Sequence, residues 1–142
     1  MANCKEFYFP SSNGVSRIHA AEWTPDGPPV AVLQIAHGVA EYGMRYAPFA
    51  EFLTEHHLGH GLSAEQDAET LYFGPRDGWK HVVDDMYALR CRTKEKYPDL
   101  PYFLMGHSMG SFLTRTYLIR YPGTVDAAII MGTGQQSPAI VT

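Results

Sequence analysis

Residues 102–123 read YFLMGHSMGSFLTRTYLIRYPG, and the fold follows from how this stretch is parsed. Tyr102–Met105 is a short apolar run of the kind found in a strand buried on both faces. Met109–Tyr121 has the length and composition of a helix, stopped by Pro122-Gly123. Between them lies Gly106-His107-Ser108-Met109-Gly110, a G-x-S-x-G turn in the strand-to-helix setting that the motif requires. A turn this sharp strains the backbone of its central residue, and a side chain at Gly106 or Gly110 would strike neighbouring elements. The strain holds the Ser108 hydroxyl clear of the sheet, while the helix that follows aims its first amides and positive dipole end at the same place. Ser108 is therefore the candidate nucleophile.

On either side of this turn the chain alternates between strand and helix. Val30–Ala36 is a nearly unbroken apolar run ending at His37-Gly38, and Val125–Met131 is a third strand that reads as buried. Tyr46–His56 has a helical period through Phe49, Phe52 and Leu53. Gly78–Tyr97 is a longer amphipathic helix with Trp79, Val82, Val83, Met86 and Leu89 inward, followed by Pro98. Alternation from residue 30 onward predicts an α/β domain, a mostly parallel sheet with flanking helices. Ahead of it, Lys5–Phe9 ends at Pro10 and a polar turn. Arg17–Thr24 then sets Ile18, Ala20 and Glu22 against His19, Ala21 and Trp23, which predicts an antiparallel hairpin at the edge of the sheet.

Composition narrows the classes of function. A chain of 142 residues makes one domain, spanning 1–142, and 45% hydrophobic with 18% charged residues is an ordinary globular balance. A net charge of -4 leaves no basic patch for a phosphate backbone, so no nucleic acid is expected as a partner. Cys4 and Cys91 form neither a disulfide framework nor a C-x-x-C pair, which fits a reducing compartment. The opening MANCKEFYFP lacks the apolar run of a signal peptide, and no segment is long and apolar enough to span a bilayer. A cytoplasmic location is the expectation.

Four strings, HGVAEYGMRYAPFAEFL, LGHGLSAE, YPDLPYFLMGHSMGSFLTR and YPGTVDAAIIMGTG, resemble the lysophospholipase and monoacylglycerol lipase branch of the α/β-hydrolases, of serine aminopeptidase S33 type. The resemblance runs from about Val30 onward, with the strings in the family's order. It implies a serine carboxylic ester hydrolase that acts on lipid-like glycerol esters through an acyl-serine, with no cofactor and no metal. It further implies contact with a membrane or micelle surface where such esters reside. A tetrahedral intermediate carries an oxyanion and needs two preorganised N–H donors. The backbone amides of Val39 and Met109 fill that role under the resemblance, with His37, Gly38, Gly106, His107 and Gly110 holding the loop and the turn.

Two departures from the family pattern matter. A strand expected between the helix ending at His56 and the Gly59-His60-Gly61 turn has no residues left to form it, as though deleted at the His56-His57 junction. Its loss would leave a gap in the sheet between the hairpin and Val30–Ala36, or force the hairpin to re-pair. Second, this fold places its catalytic acid and histidine after the serine, yet 34 residues follow Ser108. They contain one acid, Asp126, at the start of a strand, and no histidine. The domain thus reads as partial, truncated before its last strands, lid and catalytic Asp/His, and its activity as impaired. The alternative is a catalytically inactive fragment or binding module that keeps the turn and self-associates through its incomplete sheet. The cluster His56-His57-x-x-His60 invites a metal, but Gly59 and Gly61 break the helix there and no carboxylate or cysteine stands at ligand spacing.

Overall fold

The computed structural model describes residues 3–39, 41–55, 59–63 and 77–134. Six strands form one sheet: β1 (Asn3–Pro10), β2 (Arg17–Thr24), β3 (Val32–Ala36), β4 (Gly59–Ser63), β5 (Tyr102–His107) and β6 (Ala127–Met131), in the order β1-β2-β4-β3-β5-β6. The first two form the expected antiparallel hairpin, and β2 is also antiparallel to β4. The remaining neighbours β4–β3, β3–β5 and β5–β6 are all parallel. Three helices, α1 (Ala47–Glu55), α2 (Gly78–Lys96) and α3 (Met109–Arg120), lie between strands in the chain, and a 3₁₀ turn at Gly43–Tyr46 precedes the first.

Strand alternation divides the core into two layers. Ala21 and Trp23 of β2, Leu33 and Ile35 of β3 and Met105 of β5 face α1, where they meet Ala50 and Leu53. The residues between them turn the other way: Leu104 packs with Val83 and Met86 of α2 and Tyr117 of α3. Gln34 lies on that second face as a buried polar residue within an apolar strand. It is satisfied on both sides, donating from Nε2 to the Met86 carbonyl at 3.2 Å and accepting the Tyr102 hydroxyl at 2.6 Å.

The sequence leaves either a gap between the hairpin and β3 or a re-paired hairpin, and the structure places another strand there. Gly59–Ser63, read as a turn, forms β4 and pairs on both sides, with Trp23↔His60 and Ala20↔Ser63 against β2 and Val32↔Gly59 and Ile35↔Leu62 against β3. Leaving the facing edges of β2 and β3 unpaired would cost about 1–3 kcal/mol for each buried backbone group, so even five residues are drawn into the ladder. The His56-His57 junction lies outside the described residues.

Three expectations about facing residues are corrected. In α1 the inward positions are Ala47, Ala50, Leu53 and Thr54, while Phe49 and Phe52 stand outward, Phe52 being 55% exposed. The small residues Ala47 and Ala50 share one core cluster with Trp23, whose large side chain is fully buried there. At the start of α2, Trp79 is also outward, and Asp85 is buried among the inward positions. Asp85 reaches the hairpin turn, accepting the Ser11 hydroxyl at 2.7 Å and the Ser12 amide at 2.6 Å. Finally, β6 is not a buried strand. Among the described residues it is the last strand in the sheet order, with one neighbour, and Ile129, Ile130 and Met131 are all exposed.

Candidate active site

The parallel strands β3, β5 and β6 end on the same side of the sheet, and the loops that leave them meet there. In open α/β sheets this is where ligands bind. Ser108 stands at the end of β5 with φ 52° and ψ -119°, a left-handed conformation that a residue with a Cβ adopts at a cost of about 1–3 kcal/mol. Its surroundings hold it there. The Ser108 amide donates to the Met131 carbonyl at 3.0 Å, and its own carbonyl accepts from the Ser111 amide at 2.9 Å and the Ser111 hydroxyl at 2.6 Å. The Ser108 side chain is nonetheless exposed, directly before the first turn of α3.

The glycines around it are required by space. A Cβ on Gly110 would collide with the Ala36 carbonyl oxygen, and would also stand 2.6 Å from the Ala36 carbonyl carbon and 2.8 Å from the His37 oxygen. One on Gly106 would strike the Gly110 backbone and Thr114 Oγ1. The same close approach brings the β3 loop against the nucleophile candidate: a Cβ on Gly38 would stand 3.1 Å from Ser108 Cβ. Val39 follows, half exposed, and Met109 opens α3, whose first amides have no acceptor within the helix. His37 Nδ1 donates to the Gly38 carbonyl at 2.9 Å.

Glu41 was not singled out from the sequence, yet it links the Gly38 loop to His107 beside the nucleophile candidate. Its Oε2 accepts the Gly38 amide at 2.7 Å, the Tyr46 hydroxyl at 2.9 Å and His107 Nδ1 at 3.3 Å, while Oε1 faces Arg45 at 3.5 Å. Burial pushes the carboxyl up, but the Gly38 amide, the Tyr46 hydroxyl and His107 outweigh it and bring it from the ordinary 4.5 down to about 2. Tyr46 moves the opposite way, to about 12, because burial and the bond to Glu41 both favour its neutral form. No sequence spacing signals this residue, since one partner is 66 positions away.

A proton acceptor for Ser108 is not among these groups. Among the described residues no histidine is hydrogen-bonded to the Ser108 hydroxyl: His19 pairs with Glu6, His81 contacts Ser12, and His37 and His107 are engaged as above. Asp126 lies at the opposite end of the sheet, where its carboxylate accepts the Tyr102 amide at 2.7 Å and fastens the start of β6 to β5. A groove of about 390 Å³ also lies away from the site, beside the hairpin, walled by Phe7, Arg92, Lys96 and Tyr97. The side chains of His56, His57 and His60 lie outside those described, and no group of three or more metal-ligating residues occurs among the rest.

Residues 27–140 match the family described as serine aminopeptidase, S33. The chain belongs to that family. Among relatives of this S33 chain, a monoacylglycerol lipase of Mycolicibacterium smegmatis is 33% identical over 135 residues, which is 89% of this chain and 46% of the relative. The Homo sapiens monoglyceride lipase is 32% identical over 111 residues, 71% of this chain and 34% of that one. The chain therefore spans less than half the length of either. Of solved structures, a thermostable carboxyl esterase from Bacillus coagulans in complex with glycerol superposes with a TM-score of 0.86 at 28% identity, covering 97% of this chain and 47% of that one. A soluble variant of the Saccharomyces cerevisiae monoglyceride lipase matches with a TM-score of 0.72 at 14% identity, over 86% of this chain and 42% of that one, a likeness of fold alone. The architecture is that of an α/β-hydrolase.

Proposed function

We propose that this chain carries the nucleophile half of a serine ester hydrolase acting on lipid-like esters, monoacylglycerols or lysophospholipids. The observation that carries the reading is Ser108 itself: an exposed serine held in a left-handed conformation between Gly38 and the start of α3. Monoglyceride lipases among its relatives supply the substrate class. In the reaction, Ser108 Oγ attacks the ester carbonyl and passes its proton to solvent water, and the amides of Val39 and Met109 hold the oxyanion. The carbonyl re-forms as the C–O bond to the glycerol oxygen breaks and that oxygen takes a proton from solvent; water then adds to the acyl-serine, its hydroxyl going to the fatty acid and its proton to Ser108 Oγ.

A fast reaction needs a general base, and no histidine follows Ser108 in the 142 residues. Oxyanion donors and binding alone leave a residual acceleration of about 10³–10⁴ over water. We read turnover by these 142 residues alone as slow. Assaying it with p-nitrophenyl butyrate and with a monoacylglycerol, beside Ser108→Ala, tests this. Slow release that disappears in the variant supports the reading, and an equal rate in both removes it. A second reading, a binding module that keeps the turn without turnover, draws on the absence of a histidine partner for Ser108 among the described residues. It calls for lipid binding with no acyl adduct.

We further assign the chain a tendency to self-associate and to meet lipid surfaces. Phe112 and Ile119 on α3 and Ile129, Ile130 and Met131 on β6 present exposed apolar side chains, and β6 is the outermost strand among the described residues.

A further inference from the structure

Two pieces of chain meet on the carboxylate of Glu41: its own stretch from the loop after β3 to the 3₁₀ turn before α1, and the end of β5 beside Ser108. One oxygen takes all three donors, the Gly38 amide, the Tyr46 hydroxyl and His107 Nδ1, and the other faces Arg45. The same oxygen would stand 3.0 Å from a Cβ at Gly38, whose other neighbour is Ser108 Cβ. Resting on the ester-hydrolase reading of Ser108, we propose that Glu41 is a positioning residue that clamps the His37–Val39 loop against the Ser108 turn, so that the loop's amides stand ready for the oxyanion.

The choice of a carboxylate has a physical reason. Hydrogen bonds to an ionised acceptor are roughly twice as strong as neutral ones. The Gly38 carbonyl is held by His37 Nδ1 and by the Glu41 amide, and the Glu41 carboxylate adds the bond that holds the Gly38 amide. The negative charge so close to a developing oxyanion would by itself oppose catalysis. Here it is engaged by three donors and balanced by Arg45, so what remains is the orientation it imposes. Misplacement of a catalytic donor by about 1 Å can cost on the order of 100-fold in rate. Such a loss falls on kcat, because the donors act on the oxyanion and not on the bound ester.

The test compares the 142-residue chain with Glu41→Ala and Glu41→Gln, in which the amide oxygen can still accept from Gly38 and Tyr46. The first readout needs no turnover. In ¹H–¹⁵N spectra the Gly38 amide proton should resonate downfield, move upfield in Glu41→Ala, and return most of the way in Glu41→Gln. The second is Ser108-dependent hydrolysis of p-nitrophenyl butyrate, where Glu41→Ala should lower kcat by about 10- to 100-fold with KM changed less than about twofold. Glu41→Gln should recover most of that loss. Both variants are first checked as folded by circular dichroism. An unmoved Gly38 resonance in Glu41→Ala, or a kcat equal to that of the unaltered chain, overturns the proposal. Equal hydrolysis by Ser108→Ala removes the ester-hydrolase reading instead, and leaves the Gly38 resonance to decide the clamp alone.

Discussion

Substituting Gly110 by alanine probes the packing on which the site depends. The added Cβ would fall on the Ala36 carbonyl oxygen and within 2.8 Å of the His37 oxygen. Both obstacles are backbone, one of them at the end of a central strand, and neither can rotate away as a side chain could. Overpacking typically costs about 1–3 kcal/mol, and rigid neighbours place this case at about 3 kcal/mol. Against a total stability of about 5–15 kcal/mol, that is a large share. With a urea m-value of about 2 kcal/mol/M, the midpoint should fall by about 1.5 M with m unchanged. Gly134→Ala is the control, since its Cβ would meet nothing closer than Phe112 at 3.9 Å. A Gly110→Ala midpoint within about 0.25 M of the unaltered chain would refute the close approach of α3 to β3, and with it the geometry of the Ser108 turn.

Other outcomes follow from the same contacts. The Glu41 carboxyl is lower in the folded chain than its ordinary 4.5, at about 2, so its contribution to stability is complete above about pH 4.5 and lost as pH falls toward 2. Glu41→Gln should flatten that part of the stability–pH curve measured by urea unfolding, and an unchanged slope would count against the hydrogen bonds assigned to it. Asp85→Ala strands the Ser11 hydroxyl and the Ser12 amide in a partly buried turn and should cost about 1–3 kcal/mol by chemical denaturation. Size-exclusion chromatography should show concentration-dependent association that Ile129→Lys reduces, because a charge at an open strand edge opposes pairing. A monomer at all concentrations would reject the association.

Much of this molecule was legible in the sequence where the determinants are local. The Ser108 turn could be read because the steric demand on Gly106 and Gly110 is met within a few residues. The two central strands could be read because apolar runs of that length have few other uses. Partner-dependent features were not legible. Gly59–Ser63 carries no strand signal of its own and becomes β4 because β2 and β3 both need a neighbour. The apolar run Ala127–Met131 reads as buried, yet burial depends on what covers it, and β6 is outermost among the described residues. In α1, both Phe49–Phe52–Leu53 and Ala47–Ala50–Leu53–Thr54 satisfy a helical period, and the face that meets Ala21, Trp23, Leu33 and Ile35 is fixed by tertiary packing. Glu41 was missed because its link to the Ser108 turn runs through His107, 66 positions away, while its near partners Gly38, Arg45 and Tyr46 follow no standard motif.

The most direct test of Ser108 is peptide-mapped mass spectrometry of the chain after prolonged exposure to a fluorophosphonate, beside Ser108→Ala. A single adduct is expected, forming slowly, confined to the peptide that holds Ser108 and missing from the variant. Adducts spread over other serines, or formed equally in Ser108→Ala, would contradict the assignment of Ser108 as the nucleophile.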